Sequence, residues 1–358
     1  EELYQIMTDM SQKEEEAAGT GIPSKEGAGK NYAYDFSPNA IDMSVFPFGT
    51  WRKITREILS GDRKELFALG EPRGDADFRR TICRYLHSSR GVNASPEQII
   101  VGAGNDYLLL LLQYILGKDI CVAFENPSYR RAYRIFSSFA ARTVTVPVDE
   151  SGISVKDLAG SGADAAYVMP SHQYPTGVVM PIGRRMELLK WAAEEKNRYL
   201  IEDDYDSELA FTPRPLPTLS SIDRAGRVIY MNTFSQTIAP GLRAGFLVLP
   251  ERLLPLWRER LGFYSSAFPS LEQHVLARFI SGGFYERHLA RLRKTCRERR
   301  VAVLAAFRAS AFAGRIDIRE PGAGLHFLMR VDTALTDEEL RARAEARGVR
   351  LAFLSDYA

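Results

Sequence analysis

A turn of small residues behind a β-branched run is the first place in this chain where chemistry is written into residue types and spacing. Val101-Gly102-Ala103-Gly104-Asn105-Asp106 joins the run Ile99–Val101 to an apolar stretch, Asp106–Leu116. Small residues let the backbone approach an anion closely. A helix that begins there adds unpaired N–H groups and the positive end of its dipole. The spacing is that of neither a dinucleotide fingerprint nor a P-loop, which counts against both. By itself the turn fits a phosphate cradle or a plain strand-to-helix connection equally well. The other charged feature is the basic run Arg287, Arg291, Arg293, Lys294, Arg297, Arg299 and Arg300. On a helix these side chains spread around most of the circumference, so a solvated face is expected, with docking of DNA or of a DNA-binding domain as the alternative.

The elements that must position such groups alternate along the chain. A helix near Asp75–Ser88 leads to the strand Ile99–Val101, the glycine turn and the helix Asp106–Leu116. Short runs follow at Ile120–Phe124, Thr143–Val146, Ala165–Met169, Tyr199–Glu202, Val228–Met231 and Ala244–Leu249. Several are continuous and β-branched, as strands buried on both faces are. Helical stretches such as Arg184–Lys196 separate some of them, so an α/β arrangement around a mostly parallel sheet is expected. After Pro250 the chain changes character. Long charged helices (Leu271–Phe279, Tyr285–Phe307) precede a strand-like Gly324–Val331, a helix Thr336–Arg347 and a strand Val349–Leu354, the pattern of a smaller α+β domain.

The 358 residues suffice for one large or two moderate domains, and 45% hydrophobic with 26% charged residues describes an ordinary globular composition. A net charge of +2 argues against a strong nucleic-acid surface within this chain. Cys83, Cys121 and Cys296 are odd in number and widely spaced, so neither a disulfide framework nor a metal site is expected, and a reducing cytoplasm is the default. The longest apolar run, Tyr107–Leu116, is too short to span a bilayer, and no signal peptide is read in the acidic start. Because the chain opens on Glu1 without Met, an upstream segment is expected.

Four ordered segments sharpen the picture. They are Glu125-Asn126-Pro127-Ser128-Tyr129, Ser171-His172-Gln173-Tyr174-Pro175-Thr176-Gly177, Glu202-Asp203-Asp204-Tyr205-Asp206-Ser207-Glu208, and Asn232-Thr233-Phe234-Ser235-Gln236-Thr237-Ile238-Ala239-Pro240-Gly241-Leu242-Arg243. Together they resemble the fold type I pyridoxal-phosphate enzymes, the aspartate-aminotransferase-like superfamily of aminotransferase class I/II. The second and third are most similar to the MocR/GabR-type transcription regulators of the GntR family. There an aminotransferase-like effector domain is fused behind a winged-helix DNA-binding domain. The similarity runs from about Tyr34 to the chain end. It implies an α/β fold: a large domain whose mostly parallel sheet has α-helices on both sides, plus a smaller α+β domain. The expected division is a linker or arm over 1–33, a large pyridoxal-phosphate-binding domain over 34–250 with part of the small domain near 34–60, and a small domain over 251–358, incomplete at its C-terminus.

The resemblance assigns roles residue by residue. Asp203 would keep the pyridine nitrogen protonated, making the ring an electron sink, with Asp204 as the fallback one residue on. Tyr205 would reach the phenolate oxygen, and Tyr129 would stack on the ring. The phosphate would sit on the backbone N–H groups of Ala103, Gly104 and Asn105, closed by Thr233, Ser235 and the bidentate Arg243. His172 and Gln173 would lie at the edge, His172 as much a structural hydrogen-bonding group as a catalytic one. Tyr174 stands where ordinary aminotransferases have Asn, a departure shared with the regulators. Arg131 matches an arginine that contacts the effector's carboxylate, a surface arginine being the alternative; the superfamily's second such arginine falls in a C-terminal segment this chain lacks. The family's dimers imply a homodimer here, with Asp42–Trp51 near the partner or over the site; hydrophobic packing accounts for those aromatics as well.

At Gln236 the family has the lysine that forms the internal aldimine and shuttles a proton. Glutamine does neither. The flanking lysines, Lys196 and Lys294, are no obvious substitutes. Pyridoxal 5'-phosphate is therefore expected non-covalently, as an external aldimine with an amine, or absent, and transamination is expected to be impaired. The resulting reading is an amine- or pyridoxal-phosphate-sensing effector domain that meets DNA only through an absent N-terminal winged-helix domain and has no membrane partner. The alternative is an aminotransferase carrying an inactivating, engineered or natural, Lys-to-Gln change.

Overall fold

Hydrophobic runs of period one, rather than alternation, build the centre of this molecule. The computed structural model describes residues 32–37, 41–61, 63–139, 142–211, 216–319 and 325–358. Nearly all of the linker expected over 1–33, and Gly324 at the head of an expected strand, lie outside these residues. Two compact units divide the chain: Glu1–Ser37 with Thr336–Leu351, and Pro38–Leu335 with Ala352–Ala358.

The larger unit is organised on a sheet of eight strands. They are β1 (Ile99–Gly102), β2 (Cys121–Asn126), β3 (Arg142–Asp149), β4 (Gly152–Ile153), β5 (Ala165–Val168), β6 (Tyr199–Asp203), β7 (Val228–Thr233) and β8 (Gly245–Val248). Their spatial order is β1-β8-β7-β6-β5-β2-β3-β4. The run β7-β6-β5-β2-β3 is parallel throughout, while β8 is antiparallel to both β1 and β7 and β4 is an antiparallel extension of β3. Each strand sends alternate side chains to opposite faces. Ile100, Val122, Phe124, Tyr167, Ile201 and Met231 enter one buried cluster. Ile99, Val101, Tyr230 and Phe246 enter a second, and Ala123, Ala166, Val168 and Leu200 a third. Burial on both faces is why these strands read as continuous apolar runs.

The helices that cover the sheet are α1 (Phe48–Leu59), α2 (Ala76–Arg90), α3 (Asn105–Leu116), α4 (Arg130–Ser138), α5 (Ile182–Glu194), α6 (Leu254–Leu261), α7 (Ser270–Ser281) and α8 (Phe284–Ala309). α2 starts where the Asp75 carboxylate accepts from Phe78 N–H and ends at Gly91, whose φ of 68° is left-handed. α1, α4 and α6 were not foreseen. In the segment Asp42–Trp51, Phe46 and Trp51 pack on the cluster that holds α2 and α7, Trp51 meeting the Phe279 ring at 5.7 Å. The basic run on α8 is mostly exposed, yet several members are tied down: Arg293 Nε donates to the Glu208 carbonyl, and Arg299 pairs with Asp42 at 2.6 Å. An antiparallel ribbon, β9 (Ile316–Arg319) and β10 (Leu328–Val331), follows α8.

In the smaller unit, Tyr34–Asp35 pairs parallel with Val349–Arg350. Its helix Asp337–Glu345 is closed by a capping box between Thr336 and Glu339. The strand expected over Val349–Leu354 is only Val349–Arg350; the residues from Ala352 belong to the larger unit, where Leu354–Tyr357 forms a turn of 3-10 helix and Asp356 accepts from Phe353 N–H at 2.9 Å. A side-chain cap at that point ends extension sooner than hydropathy suggests. Among the described residues no helix is long and apolar enough to cross a membrane.

Candidate functional site

The carboxyl ends of the parallel strands open on one cleft, the place where ligands enter sheets of this kind. β1 delivers the glycine turn and the first residues of α3. The segment after β2 delivers Tyr129 and Arg131, the segment after β5 delivers Tyr174, β6 delivers Asp203 and Tyr205, and β7 delivers Thr233, Ser235 and Gln236. Asn105, Asp106, Tyr129, Arg131, Tyr174, Asp203, Tyr205, Thr233, Ser235, Gln236 and Arg243 all line this cleft, together with Met169, Asp206, Pro240, Leu325 and His326. Among the described residues of the wall there is no lysine; Lys294 pairs with Glu298 and is 77% exposed.

At one end Gly104, with φ 87°, precedes α3. A Cβ there would lie 3.0 Å from the Arg243 guanidinium, so glycine serves both the backbone conformation and the close approach. Arg243 itself has φ 48°, a left-handed conformation rare for a residue with a side chain. Thr233 Oγ1 lies 3.0 Å from Ser235 Oγ, 3.1 Å from the Ala244 carbonyl, and accepts from Ser235 N–H at 3.2 Å. Ala103 belongs to the turn but not to the wall of the cleft.

At the other end Asp203 closes β6. Its Oδ2 accepts from the Tyr167 hydroxyl and from Asn105 Nδ2 at 3.3 Å. Its Oδ1 is buried without a hydrogen-bond partner among the described residues, and burial pushes the carboxyl up to about 7. Asp204 points elsewhere. It forms a buried ion pair with Arg90 at 2.8 Å and accepts from Tyr230 Oη and Ser207 Oγ. The two adjacent carboxylates thus face different surroundings, although the charge of Asp204 still adds to the upward push on Asp203.

His172 is buried behind the wall rather than on it. Its Nδ1 meets Asp206 Oδ2 at 2.7 Å and the Tyr205 hydroxyl at 3.1 Å. Carboxylates only accept, so Nδ1 is the donor toward Asp206, and Nε2 is buried without a partner among the described residues. Burial, then Asp206, holds the Tyr205 phenol well above its ordinary range. Burial lifts the Tyr129 phenol to about 12. Tyr174 donates to Tyr357 Oη at 2.7 Å and meets the Tyr129 ring edge-on. Gln173 has an internal task, its Nε2 donating to the Pro127 and Tyr174 carbonyls. Arg131 reaches the cleft, where its Nη1 lies 3.3 Å from Asp106 Oδ2.

Four polar wall or support residues were missed: Asp106, Tyr167, Asp206 and His326. Asp106 and Asp206 sat inside quoted segments, and Tyr167 was hidden in an apolar run. His326 arrives from a distant segment, its ring 4.6 Å from that of His172, and burial followed by His172 lowers its pKa to about 3. No local signal could have found it.

Glu125, near the end of β2, is fully buried with Oε1 unpartnered among the described residues, and burial raises its carboxyl to about 8. A raised folded-state pKa means that the folded state holds the proton longer than the unfolded one. The resulting stability is full below about pH 4.3, the unfolded value, and is lost as pH rises through about 8. The melting temperature should therefore fall more steeply between mildly acidic and mildly alkaline pH in the native chain than in Glu125→Gln; parallel curves would refute the assignment.

Comparison with known proteins is consistent across sequence and structure. The family model described as aminotransferase class I and II matches residues 39–351. The uncharacterized HTH-type transcriptional regulator YdeL of Bacillus subtilis is 38% identical over 330 residues, covering 92% of this chain and 71% of that protein. The probable rhizopine catabolism regulatory protein MocR of Rhizobium meliloti is 36% identical over 89% of this chain and 65% of its own length. The HTH-type pyridoxine biosynthesis transcriptional regulator PdxR of Corynebacterium glutamicum is 31% identical over 90% of this chain and 69% of its own length. Among solved structures, Pyrococcus horikoshii kynurenine aminotransferase in complex with PMP superposes with TM-score 0.80 at 25% identity, covering 92% of this chain and 83% of that one. LysN, an α-aminoadipate aminotransferase of Thermus thermophilus, gives TM-score 0.76 at 28% identity over 88% and 81%.

Proposed function

Because the chain belongs to aminotransferase class I and II, a pyridoxal-phosphate-dependent family, and to its branch of MocR-type HTH regulators, we propose that it is a ligand-sensing domain that binds pyridoxal phosphate without a covalent bond. One observation carries the reading: Gln236 stands on the wall of a cleft whose other lining groups suit the cofactor. The residues fit the group. Asp203 Oδ1, buried and lacking a partner among the described residues, suits a protonated ring nitrogen, and Tyr129 offers a flat face. Asn105 and Asp106 begin α3 with free N–H groups beside Arg243, Thr233 and Ser235, which together would hold the phosphate. When bound, the cofactor supplies an aldehyde that condenses with primary amines, so an amine, an amino acid or the cofactor itself is the signal. Gln236 can hydrogen-bond but neither attaches the cofactor nor takes up a proton near neutral pH. His172, pinned by Asp206, orients Tyr205 toward the cleft. Arg131 is the group we assign to an effector carboxylate.

DNA contact belongs to the HTH part that the relatives' names describe. The division near residue 250, a homodimer and a cytoplasmic setting complete the proposal. Adding pyridoxal phosphate should produce a new near-visible absorbance band. After borohydride treatment the mass of the intact chain should be unchanged; a cofactor-sized adduct on any lysine would overturn non-covalent binding.

A further inference from the structure

The phosphate end of the cleft contains an anion of its own. Asp106, the second residue of α3, places Oδ2 3.1 Å from Arg243 Nη2 and 3.3 Å from Arg131 Nη1. One carboxylate oxygen therefore serves two guanidiniums, and all three residues line the cleft. Neither arginine is buried: the Arg243 and Arg131 side chains are 47% and 58% exposed, and Asp106 is 36% exposed. The arrangement is local and rigid at its base. Arg243 is held by its left-handed backbone and packs against Gly104, and Asp106 is fixed in the first turn of a twelve-residue helix. The features that make this place attractive to a phosphate, a helix N-terminus and an arginine, are thus partly neutralised by a charge of the ligand's own sign.

We propose that Asp106 is a specificity-determining residue that sets how much negative charge the phosphate end accepts. In the absence of an anion it holds both arginines. When a phosphate monoester arrives, Arg243 turns its donors to the ligand, and Asp106 keeps Arg131. The ligand then binds beside a fixed carboxylate instead of a neutral side chain. A phosphate monoester carries about −1.5 to −2 at neutral pH, so it feels the penalty almost twice over. At the separations available here, and in partly solvated surroundings, such a charge changes affinity by about tenfold. The consequence for a sensor is reversible occupancy. This inference deepens the reading of the cleft as a pyridoxal-phosphate site and rests on it for the ligand, but not for the charge.

The test uses the full chain and Asp106→Asn, which keeps shape and hydrogen-bonding capacity while removing the charge. Pyridoxal phosphate, pyridoxal and inorganic phosphate are titrated separately by calorimetry. The expected result is about tenfold tighter binding of both phosphate-bearing probes by the variant, with pyridoxal unchanged. Asp106→Ser, checked for native circular dichroism, should move in the same direction. Equal or weaker binding of inorganic phosphate by both variants overturns the inference, because it would mean that Asp106 preorganises Arg243 rather than opposing the ligand. An equal gain for pyridoxal overturns it as well, since the effect would then not lie at the phosphate. If pyridoxal phosphate binds to none of the proteins while inorganic phosphate shows the gain, the cofactor reading falls and the role of Asp106 stands.

Discussion

Gln236→Lys should make the chain hold pyridoxal phosphate covalently, where we propose that the native chain binds it reversibly. Position 236 lies on the wall of the same cleft as Asp203, Tyr129 and Arg243, so a lysine there projects into a cavity lined by the groups we assign to ring and phosphate. Lysine differs from glutamine by about one methylene of reach and by a basic amine, and the position is half-buried rather than packed in the core, so the fold tolerates the change. The amine of residue 236 supplies the nucleophile that no described lysine of the wall provides. The expected readout is a visible band that survives gel filtration, and a borohydride-fixed mass increase that maps to the peptide containing position 236. The native chain should lose its band on the same column. Retention should improve by two orders of magnitude or more, since a covalent bond adds to contacts already present. A variant that stays colourless with cofactor would show that the segment Asn232–Arg243 is not the cofactor loop, and the whole set of assignments would fall with it.

The legible part of this molecule is the part written in continuous apolar runs. Ile99–Val101, Ala165–Met169 and Tyr199–Glu202 announced strands buried on both faces, and each is found within a residue or two at either end. α1 and α4 escaped because their signals are mixed. In α4, Arg130, Arg131 and Arg134 interrupt the apolar side chains, and only Ala132 and Phe136 are buried. The site divides in the same way. Asp203 and Tyr205 follow directly from a strand end, so position in the chain placed them on the cleft. Which of Asp203 and Asp204 faces it needed one more fact, the register of β6, and that register is set by pairing with β5 and β7. His172 shows the opposite limit: its motif was recognisable, yet it stands behind Tyr205 because Asp206, four residues beyond Glu202, holds its ring nitrogen. His326 depends entirely on where a remote segment returns. Spacing along the chain reports periodicity; it does not report which distant segments share a wall.

The carboxylate that faces away from the cleft carries the largest expected effect on stability. Asp204 is fully buried and meets Arg90 Nε at 2.8 Å and Nη2 at 3.1 Å, a bidentate pair whose side chains are 0% and 5% exposed. Burial pushes the Asp204 carboxyl up, but Arg90 together with Ser171, Tyr230 and Ser207 overrides it and holds the group below the usual carboxylate range. Arg90→Met keeps most of the volume at the end of α2 and removes the counter-charge. It leaves a buried carboxylate that has lost its ion partner, a change that costs about 3–5 kcal/mol. In a unit of this size the melting temperature should drop by about ten degrees. Arg90→Met combined with Asp204→Leu removes both charges and should recover a large part of that loss, because the penalty lies in the orphaned ion and not in the missing attraction. The consequence reaches the cleft, since Asp204 adjoins Asp203 and Arg90 Nη2 also donates to Ser171, the neighbour of His172, at 2.9 Å. Pyridoxal-phosphate affinity should therefore weaken in Arg90→Met even at temperatures where the chain stays folded. A shift of less than about two degrees in Arg90→Met would mean that water reaches Asp204 and that the pair is not sealed. A double variant no more stable than the single one would place the cost in lost packing instead of in the uncompensated charge.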